Sequence, residues 1–210
     1  MMKRFAVIVM LALAVKTAGA VDLRALFIDM PDSVMPALTR SDRMDFLDYM
    51  DSGMKARVSN KLGGESEMTM LRENMLTVRT SQSGQLDMAL FRKKDGENLI
   101  CIIRTVTARY PDSHISFYTE EWTPVQLKGL IDLPQLDDFL TKDALKSDSL
   151  DYFRKQSMLR LQSVTPVDGA LEFRYTSLDY IGEDADRYRA WFKPDPVRYI
   201  WTGKRFKPAK

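Results

Sequence analysis

The chain has 210 residues, of which 45% are apolar and 29% charged, and its formal net charge is +2. Its single cysteine, Cys101, excludes an internal disulfide. The chain also has a single histidine, His114. One histidine and one cysteine argue against a structural zinc site, because such a site uses four nitrogen or sulfur ligands. The length suffices for one domain or for two small ones.

The first 20 residues have the three parts of a secretory signal peptide. Lys3 and Arg4 give a basic start, and an apolar run follows over 5–15. Ala18 and Ala20 form an Ala-x-Ala ending. The run has 11 residues, too few to span a bilayer core of about 30 Å as a helix. We expect cleavage after Ala20; an uncleaved anchor and a buried helix are the alternatives.

Removal of the signal peptide changes the charge balance, because it carries three basic residues and no acid. The net charge moves from +2 to −1. The basic character therefore gives no support for nucleic acid as a partner. No later segment is apolar enough to predict a transmembrane helix.

A repeated pattern divides the rest of the chain into two halves, 21–122 and 123–210. The sequence at 28–31 recurs in similar form at 131–134, and that at 47–50 recurs at 150–153, each time 103 residues further on. Equal spacing inside both copies favours a duplication. We expect the two halves to pack as one compact unit.

Each half is predicted to contain two helices and then four strands. In the first half, a helical stripe at Leu47, Met50, Met54 and Val58 is interrupted by Gly53. Alternating apolar residues then predict strands at 76–80, 86–91, 99–108 and 115–118. The corresponding strands of the second half are predicted at 158–164, 170–175, 187–192 and 197–201, followed by a last short hairpin over 202–206.

Helices grouped before antiparallel strands indicate the α+β class. The second half supplies two short helical stripes, which are formed by Leu133, Leu136 and Leu140 and then by Leu145, Leu150 and Phe153. We therefore predict a tandem repeat of two helix–helix–antiparallel-sheet units, with the helices packed on one face of the sheet.

Several segments of the chain resemble a family of secreted proteins of unknown function from Bacteroidales-type bacteria. They are 48–54 (DYMDSGM), 60–66 (NKLGGES), 85–88 (QLDM) and 112–118 (DSHISFY), with Trp122 following. The resemblance implies the periplasm or outer cell surface of a Gram-negative bacterium, and it implies no activity, cofactor or catalytic residue. In topology alone, the predicted tandem units are similar to periplasmic modules of the β-lactamase-inhibitor-protein and PepSY kinds.

No set of residues predicts catalysis or a bound cofactor. Ser113 and His114 are adjacent on a strand and therefore point to opposite faces. The acids at 42, 45, 48 and 51 would spread around a helix and would not converge on one metal ion. The segment 62–65 lacks the Lys-Ser/Thr of a phosphate-binding loop and is interpreted as a turn.

Alternation along the strands predicts which side chains face solvent. The candidate binding face consists of Arg79, His114, Tyr118, Arg160, Arg174 and Arg198. Arginine and tyrosine are typical of binding hot spots. The alternative is an ordinary solvated sheet in which arginines pair with Glu172 or Asp87 across the strands. Arg104 does not fit a wet face, because it shares its face with Ile100 and Ile102, so part of that face must be covered.

These patterns predict an exported, non-catalytic protein that binds another protein or an envelope component. The competing hypothesis is a hydrolase of envelope polymers whose carboxylates come from both halves, which would need two carboxyl groups flanking a cleft. A structural subunit of an envelope assembly is a third hypothesis, which exposed apolar patches would favour.

Overall fold

A computed structural model describes residues 22–157, 159 and 161–209 of the chain. The predicted signal peptide and Arg160 of the candidate binding face lie outside the described residues. Within the described part, none of the helices combines the length and the apolar character needed to cross a bilayer.

The strands of the described residues form two antiparallel sheets. The large sheet follows chain order, with strands Arg57–Ser59 (β1), Glu65–Leu71 (β2), Met75–Arg79 (β3), Gly84–Arg92 (β4), Asn98–Val106 (β5), Asp112–Tyr118 (β6) and Pro124–Val125 (β7). The small sheet has the order β11-β10-β9-β8, with strands Gln162–Val167 (β8), Ala170–Tyr175 (β9), Val197–Trp201 (β10) and Phe206–Pro208 (β11).

The helices are short and lie before, between and, for α4, within the two sheets in sequence. The α-helices are Leu23–Ile28 (α1), Arg40–Asp51 (α2), Leu150–Gln156 (α3) and Ala185–Arg189 (α4). Three 3₁₀ segments accompany them, at Leu136–Phe139, Ala144–Lys146 and Leu178–Asp184.

A capping box fixes the start of α2. The Thr39 hydroxyl accepts a hydrogen bond from the backbone N–H of Asp42 at 3.1 Å, and the Asp42 carboxylate accepts one from the backbone N–H of Thr39 at 2.7 Å. Two N–H groups that the helix leaves free are thereby satisfied. The helix then presents Phe46 and Leu47 to the core.

One face of the large sheet, here called the helix face, packs against α1, α2 and their connection. It carries Leu76, Val78, Met88, Ile100 and Ile102, all of which are buried. Phe27 of α1 and Phe46 of α2 lie in the same apolar cluster. Helices on one face of an antiparallel sheet are therefore confirmed for the first half.

The opposite face of the large sheet, here called the sheet face, packs against the small sheet. Ala89, Cys101 and Ile103 lie on it and share a cluster with Phe173 and Tyr199 of the small sheet. Cys101 is fully buried, and burial raises the pKa of its thiol well above the ordinary value. The two sheets thus enclose a common core.

The cover on the sheet face corrects the expectation of one wet face. The central strands of the large sheet are buried on both faces, because the second half folds back over the sheet face. The continuous apolar run at 99–103 indicates this burial on both faces, because a strand that is covered on both sides is apolar at every position and does not alternate.

Side chains of β6 close the free edge of β8. The backbone N–H of Val164 donates to the Ser113 hydroxyl at 2.9 Å, and the N–H of Gln162 donates to the Asp112 carboxylate at 3.2 Å. Pro166 is the next residue whose N–H position faces this edge, and proline has no N–H. The hydroxyls of Thr105 and Ser113 lie 2.7 Å apart. This contact holds the Ser113 hydroxyl in place as the acceptor of the Val164 N–H.

A third apolar cluster joins α3, α4 and the 3₁₀ segments. Phe153 and Tyr188 are fully buried in it, with ring centroids 4.6 Å apart, and the ring of Trp191 lies 4.8 Å from that of Tyr188. The predicted strand 187–192 is therefore wrong, because Tyr188 and Trp191 bury their rings together at the i, i+3 spacing of a helix.

Other predicted boundaries also change. The helical stripe ends early, because α2 stops at Asp51, Gly53 adopts a φ of +67°, and Val58 lies in β1. The prediction of four strands per half is wrong for the first half, which has six among the described residues, β1 to β6. The second half contains β7 and the four strands of the small sheet, which form two hairpins separated by a 3₁₀ segment and α4. In the two repeat copies, 47–50 and 150–153 are both helical, whereas Ile28 ends α1 and Ile131 lies in an irregular segment.

Candidate binding cleft

The large sheet places the predicted binding residues of the first half on opposite faces. Arg79 lies on the uncovered margin of the sheet face, where its Nη1 is 3.9 Å from Oε2 of Glu67. His114 and Tyr118 lie on the helix face. Tyr118 is half-buried there, with its ring 5.5 Å from that of Trp122, whereas His114 is exposed.

The predicted residues of the second half lie on the small sheet. Arg174 and Arg198 are on its outer face, the side turned away from the large sheet. Arg198 lies 3.9 Å from Glu172 on the neighbouring strand, as the alternative of a solvated sheet predicted, and Arg174 donates to the carbonyl of Pro194 at 3.1 Å. The five described candidates are therefore spread over three surfaces.

A cleft opens on the helix face, where the cover supplied by the helices ends. Its volume is about 370 Å³, within the usual range for small-molecule sites. One wall is the connection between α1 and α2 at Val34–Ala37, and the other is formed by the ends of β4, β5 and β6. Among the candidates predicted from sequence, His114 lines this cleft.

The floor of the cleft is apolar. Val34, Ala37 and Leu86 contribute buried side chains to its lining. Val106 lines it from the end of β5 and is 57% exposed. An apolar group that entered the cleft would therefore cover the exposed surface of Val106 and the small area that the other three side chains still expose.

Arg104 is the cation of the cleft. It follows Ile100 and Ile102 on the helix face and lies directly opposite His114 on β6. Its Nη2 donates to the carbonyl of Val34 at 2.8 Å, and its Nη1 donates to the Ser116 hydroxyl at 3.3 Å. The prediction that Arg104 would be partly covered is thereby confirmed.

The charge of Arg104 is not matched by a nearby acid. Among the described residues, no carboxylate forms an ion pair with it. A guanidinium has five N–H donors, and the two contacts above leave several of them for a ligand. The half-buried position strengthens any such contact relative to one in water.

A second arginine fixes the wall of the cleft. Arg43 is 2% exposed, and its guanidinium donates to the carbonyls of Ile28 at 3.1 Å, Leu38 at 3.0 Å and Met30 at 2.7 Å. These bonds clamp both ends of the connection that carries Val34–Ala37. Burial lowers the pKa of the Arg43 guanidinium from its ordinary value, while Asp32 at 3.6 Å acts in the opposite direction.

The rim of the cleft carries uncharged polar side chains and one carboxylate. His114 is exposed beside Arg104, and Gln85 is half-buried at the end of β4. Asp112 contributes a carboxylate, which is already engaged by the backbone N–H of Gln162. Within the described ranges, no three His, Cys, Asp or Glu side chains come together as a possible metal site. The arrangement therefore suits binding through one cation and an apolar floor.

Two other clefts contain sequence-predicted residues, and both are lined by carboxylates as well as by cations. The cleft at Arg174 has a volume of about 420 Å³ and includes Arg189, which pairs with Asp179 at 2.8 Å. The cleft at Arg79 has a volume of about 570 Å³ and includes Glu67, which pairs with Arg57 at 3.1 Å. The cleft at Arg174 also has aromatic side chains and an arginine without an acidic partner among the described residues, but Arg174 is exposed, and two carboxylates, Asp179 and Asp195, line the same cleft.

The sheet face contains one buried acid outside any of these clefts. Asp87 is 4% exposed and accepts hydrogen bonds from the Thr77 hydroxyl at 2.6 Å and from the Gln85 amide at 2.9 Å. Burial raises the pKa of the Asp87 carboxyl above its ordinary value, and these hydrogen bonds act in the opposite direction. The alternative of a solvated sheet predicted that Asp87 would pair with an arginine, but its partners are neutral.

Arg104 and Arg43 were not among the predicted site residues. A signal for Arg104 exists in the sequence, because a charged residue continues the apolar alternation of Ile100 and Ile102. Arg43 gives no comparable signal, since it lies in a helix with many charges and its partners are backbone carbonyls.

Comparisons with known proteins give a family and a fold. A family profile described as "Protein of unknown function (DUF3256)" matches residues 15–206. The chain is also similar to the solved structure of a domain of an uncharacterized protein from Porphyromonas gingivalis W83, with 25% sequence identity and a TM-score of 0.77. That similarity covers 89% of this chain and 98% of the other. No curated protein matches the chain.

Proposed function

This chain belongs to the DUF3256 family of proteins of unknown function, and we propose that it is an exported, non-catalytic binding protein. Its ligand is an envelope component held in the cleft between the α1–α2 connection and the helix face. The observation that carries this proposal is the half-buried Arg104, which has no acidic partner among the described residues and stands beside an apolar floor.

Export is the first part of the proposal. The basic start, the short apolar run and the Ala18–Ala20 ending support it. The similar structure from Porphyromonas gingivalis W83 is in keeping with a Bacteroidales-type bacterium, and we propose the periplasm or the outer surface as the location on the signal peptide alone. The duplication of one helix-plus-sheet unit stays part of the proposal and is supported by the shared helical position of 47–50 and 150–153.

Binding without catalysis is the second part. Asp112 supplies the one carboxylate among the described residues that line the cleft. A glycosidase of the usual type requires two carboxyl groups across its cleft. The lining therefore favours a binding protein over a hydrolase of envelope polymers.

A variant that fills the cleft tests this function. Val106→Trp places a large ring at the mouth of the cleft, on a side chain that is 57% exposed and therefore outside the core. Ile200→Trp is the matched control, because Ile200 is 46% exposed on the outer face of the small sheet. Both variants and the unchanged protein are isolated from the bacterial envelope without denaturation, and the small molecules that accompany them are quantified by mass spectrometry.

We expect one compound to accompany the unchanged protein and the Ile200→Trp variant, and to be depleted from the Val106→Trp variant. Its mass should stay constant on incubation with excess protein. Equal amounts in all three samples, or no such compound, would contradict the proposal. Conversion of the compound would favour the hydrolase.

A further inference from the structure

We propose that the ligand of the cleft is an amphiphilic monocarboxylate, with its carboxylate on Arg104 and its aliphatic chain along the apolar floor. This inference rests on the proposed function, whose site it shares, and it names the chemical class of the ligand.

The charge of the cleft is the first step. Other arginines of comparable exposure have acidic partners: Arg24 pairs with Asp51, and Arg154 pairs with Asp137. Arg104 instead donates to a carbonyl and a hydroxyl, and no carboxylate of the described residues forms an ion pair with it. A planar carboxylate matches the fork of N–H groups that a guanidinium presents.

The contacts of Arg104 also fix its direction. The bond to the Val34 carbonyl ties the guanidinium to one wall, and the bond to Ser116 ties it to the adjacent strand. A side chain that is already held in place loses little conformational entropy when a ligand binds. The cation is therefore preorganised at the polar end of the cleft.

The apolar lining is the second step. Val34, Ala37 and Leu86 are buried, and Val106 exposes 57% of its surface at the mouth. An aliphatic chain laid against these side chains removes their remaining apolar area from water. A small polar anion such as acetate or inorganic phosphate would leave that surface exposed.

The rim selects against a dianion. Asp112 lines the cleft on the same strand and face as His114, two positions away, and carries a negative charge near the bound headgroup. One guanidinium balances one negative charge, and a second negative charge on the ligand would face Asp112. The site therefore fits a monocarboxylate better than a phosphate monoester.

Calorimetric titration with matched amphiphiles tests this assignment. The probes are decanoate, hexanoate, decanol and decyl phosphate, each used below its aggregation concentration. They are titrated into the unchanged protein and into Arg104→Met and Arg104→Lys variants. Arg198→Met is the control, because Arg198 is an exposed arginine on the small sheet.

We expect decanoate to bind more tightly than hexanoate, by up to roughly fourfold for each methylene that is buried. Arg104→Met should weaken decanoate binding by at least about tenfold and leave decanol binding unchanged. Arg104→Lys keeps the charge but loses the fork, so it should give an intermediate affinity for decanoate. Arg198→Met should change none of these affinities.

Three results would overturn the assignment. They are equal decanoate affinity in the unchanged protein and Arg104→Met, tighter binding of decyl phosphate than of decanoate, and no binding of decanoate at all. If any of them occurs while a co-purified compound is still lost in Val106→Trp, the ligand class fails and the proposed function stands. If the co-purification also fails, both are rejected.

Discussion

The large sheet is covered differently on its two faces. On the sheet face it meets a second sheet, and the contact extends from the apolar core to the strand edge, where Ser113 and Asp112 accept the free N–H groups of β8. On the helix face, two short helices and their connection cover the centre of the sheet and stop before its end. The uncovered end is where the cleft lies.

We infer that the sheet face serves mainly the stability of the fold, whereas the helix face provides the proposed binding cleft. A sheet packed on a sheet buries alternate residues of both partners along their whole length. A six-residue helix and a twelve-residue helix cannot match the width of seven strands, so a connection must complete the cover. The connection needs arginine clamps because it has no ladder of its own hydrogen bonds, and one of these clamps, Arg104, faces open space.

The largest effect is expected from removing the clamp beneath the connection. Arg43→Met leaves the carbonyls of Ile28, Met30 and Leu38 without their donor in a buried place. We expect a loss of about 3 kcal/mol in the free energy of unfolding, measured by urea denaturation. The control is Arg40→Met, whose arginine is exposed and pairs only with Asp29; it should change stability by less than about 0.5 kcal/mol. Equal effects would remove the distinction between a clamp and a surface pair.

On the sheet face, the contact between β6 and the edge of β8 can be tested by removing one hydroxyl group. Ser113→Ala leaves the backbone N–H of Val164 unpaired at a half-buried edge. We expect a loss of about 1.5 kcal/mol in the free energy of unfolding. Ser163→Ala is the matched control, since Ser163 lies on the outer face of the same strand. The proposed edge contact is rejected if the two variants are equally stable.

The buried acid of the sheet face predicts a dependence on pH. Because the pKa of Asp87 is raised in the folded protein, its stabilising proton is fully bound below the ordinary carboxyl pKa of about 3.9. That contribution is lost as the pH rises through the raised value. Asp87→Asn keeps the shape and the hydrogen bond from Thr77 but cannot ionise.

Urea denaturation at a series of pH values checks this prediction. The stability of the unchanged protein relative to Asp87→Asn should decrease as the pH rises through that window and then become constant. Parallel curves across the whole range would mean that Asp87 ionises as freely in the folded protein as in the unfolded one.

The smallest effect on stability is expected at the cleft. Arg104→Met removes one bond to the Val34 carbonyl, which water in the cleft is able to replace. We expect the free energy of unfolding to fall by less than about 1 kcal/mol, whereas the affinity for the proposed ligand should fall by at least about tenfold. A loss as great as that of Arg43→Met would assign Arg104 to the support of the fold.

The sequence predicted those parts of the fold that depend on local alternation. The strands at Ala170–Tyr175 and Val197–Trp201 have the predicted bounds, and β3 to β6 lie close to their predicted positions. Short strands were missed, because β1 has three residues and β7 has two, too few for a periodic pattern. The strand 187–192 was misassigned because six residues do not distinguish alternation from a helical turn.

The site was less predictable than the fold, because it is formed by segments far apart in the chain. Alternation placed His114 correctly on the face opposite Ile115, but it could not show that Val34–Ala37 would stand across from it. The bond between Arg104 and Val34 joins residues that are 70 positions apart. The available signal was Arg104, a charged residue that continues an apolar alternation. It indicated that this face of the sheet is covered, but not which segment covers it.

The closed edge of β8 has a consequence for assembly. The backbone N–H groups of Gln162 and Val164 at this edge already donate to side chains of β6, and Pro166 has no N–H. The other outer strands, β1, β7 and β11, have three, two and three residues. Donor-strand exchange and edge-to-edge polymerisation both need a long strand with free backbone donors. The strand edges of the described residues therefore offer no long template for β-augmentation between copies of the chain.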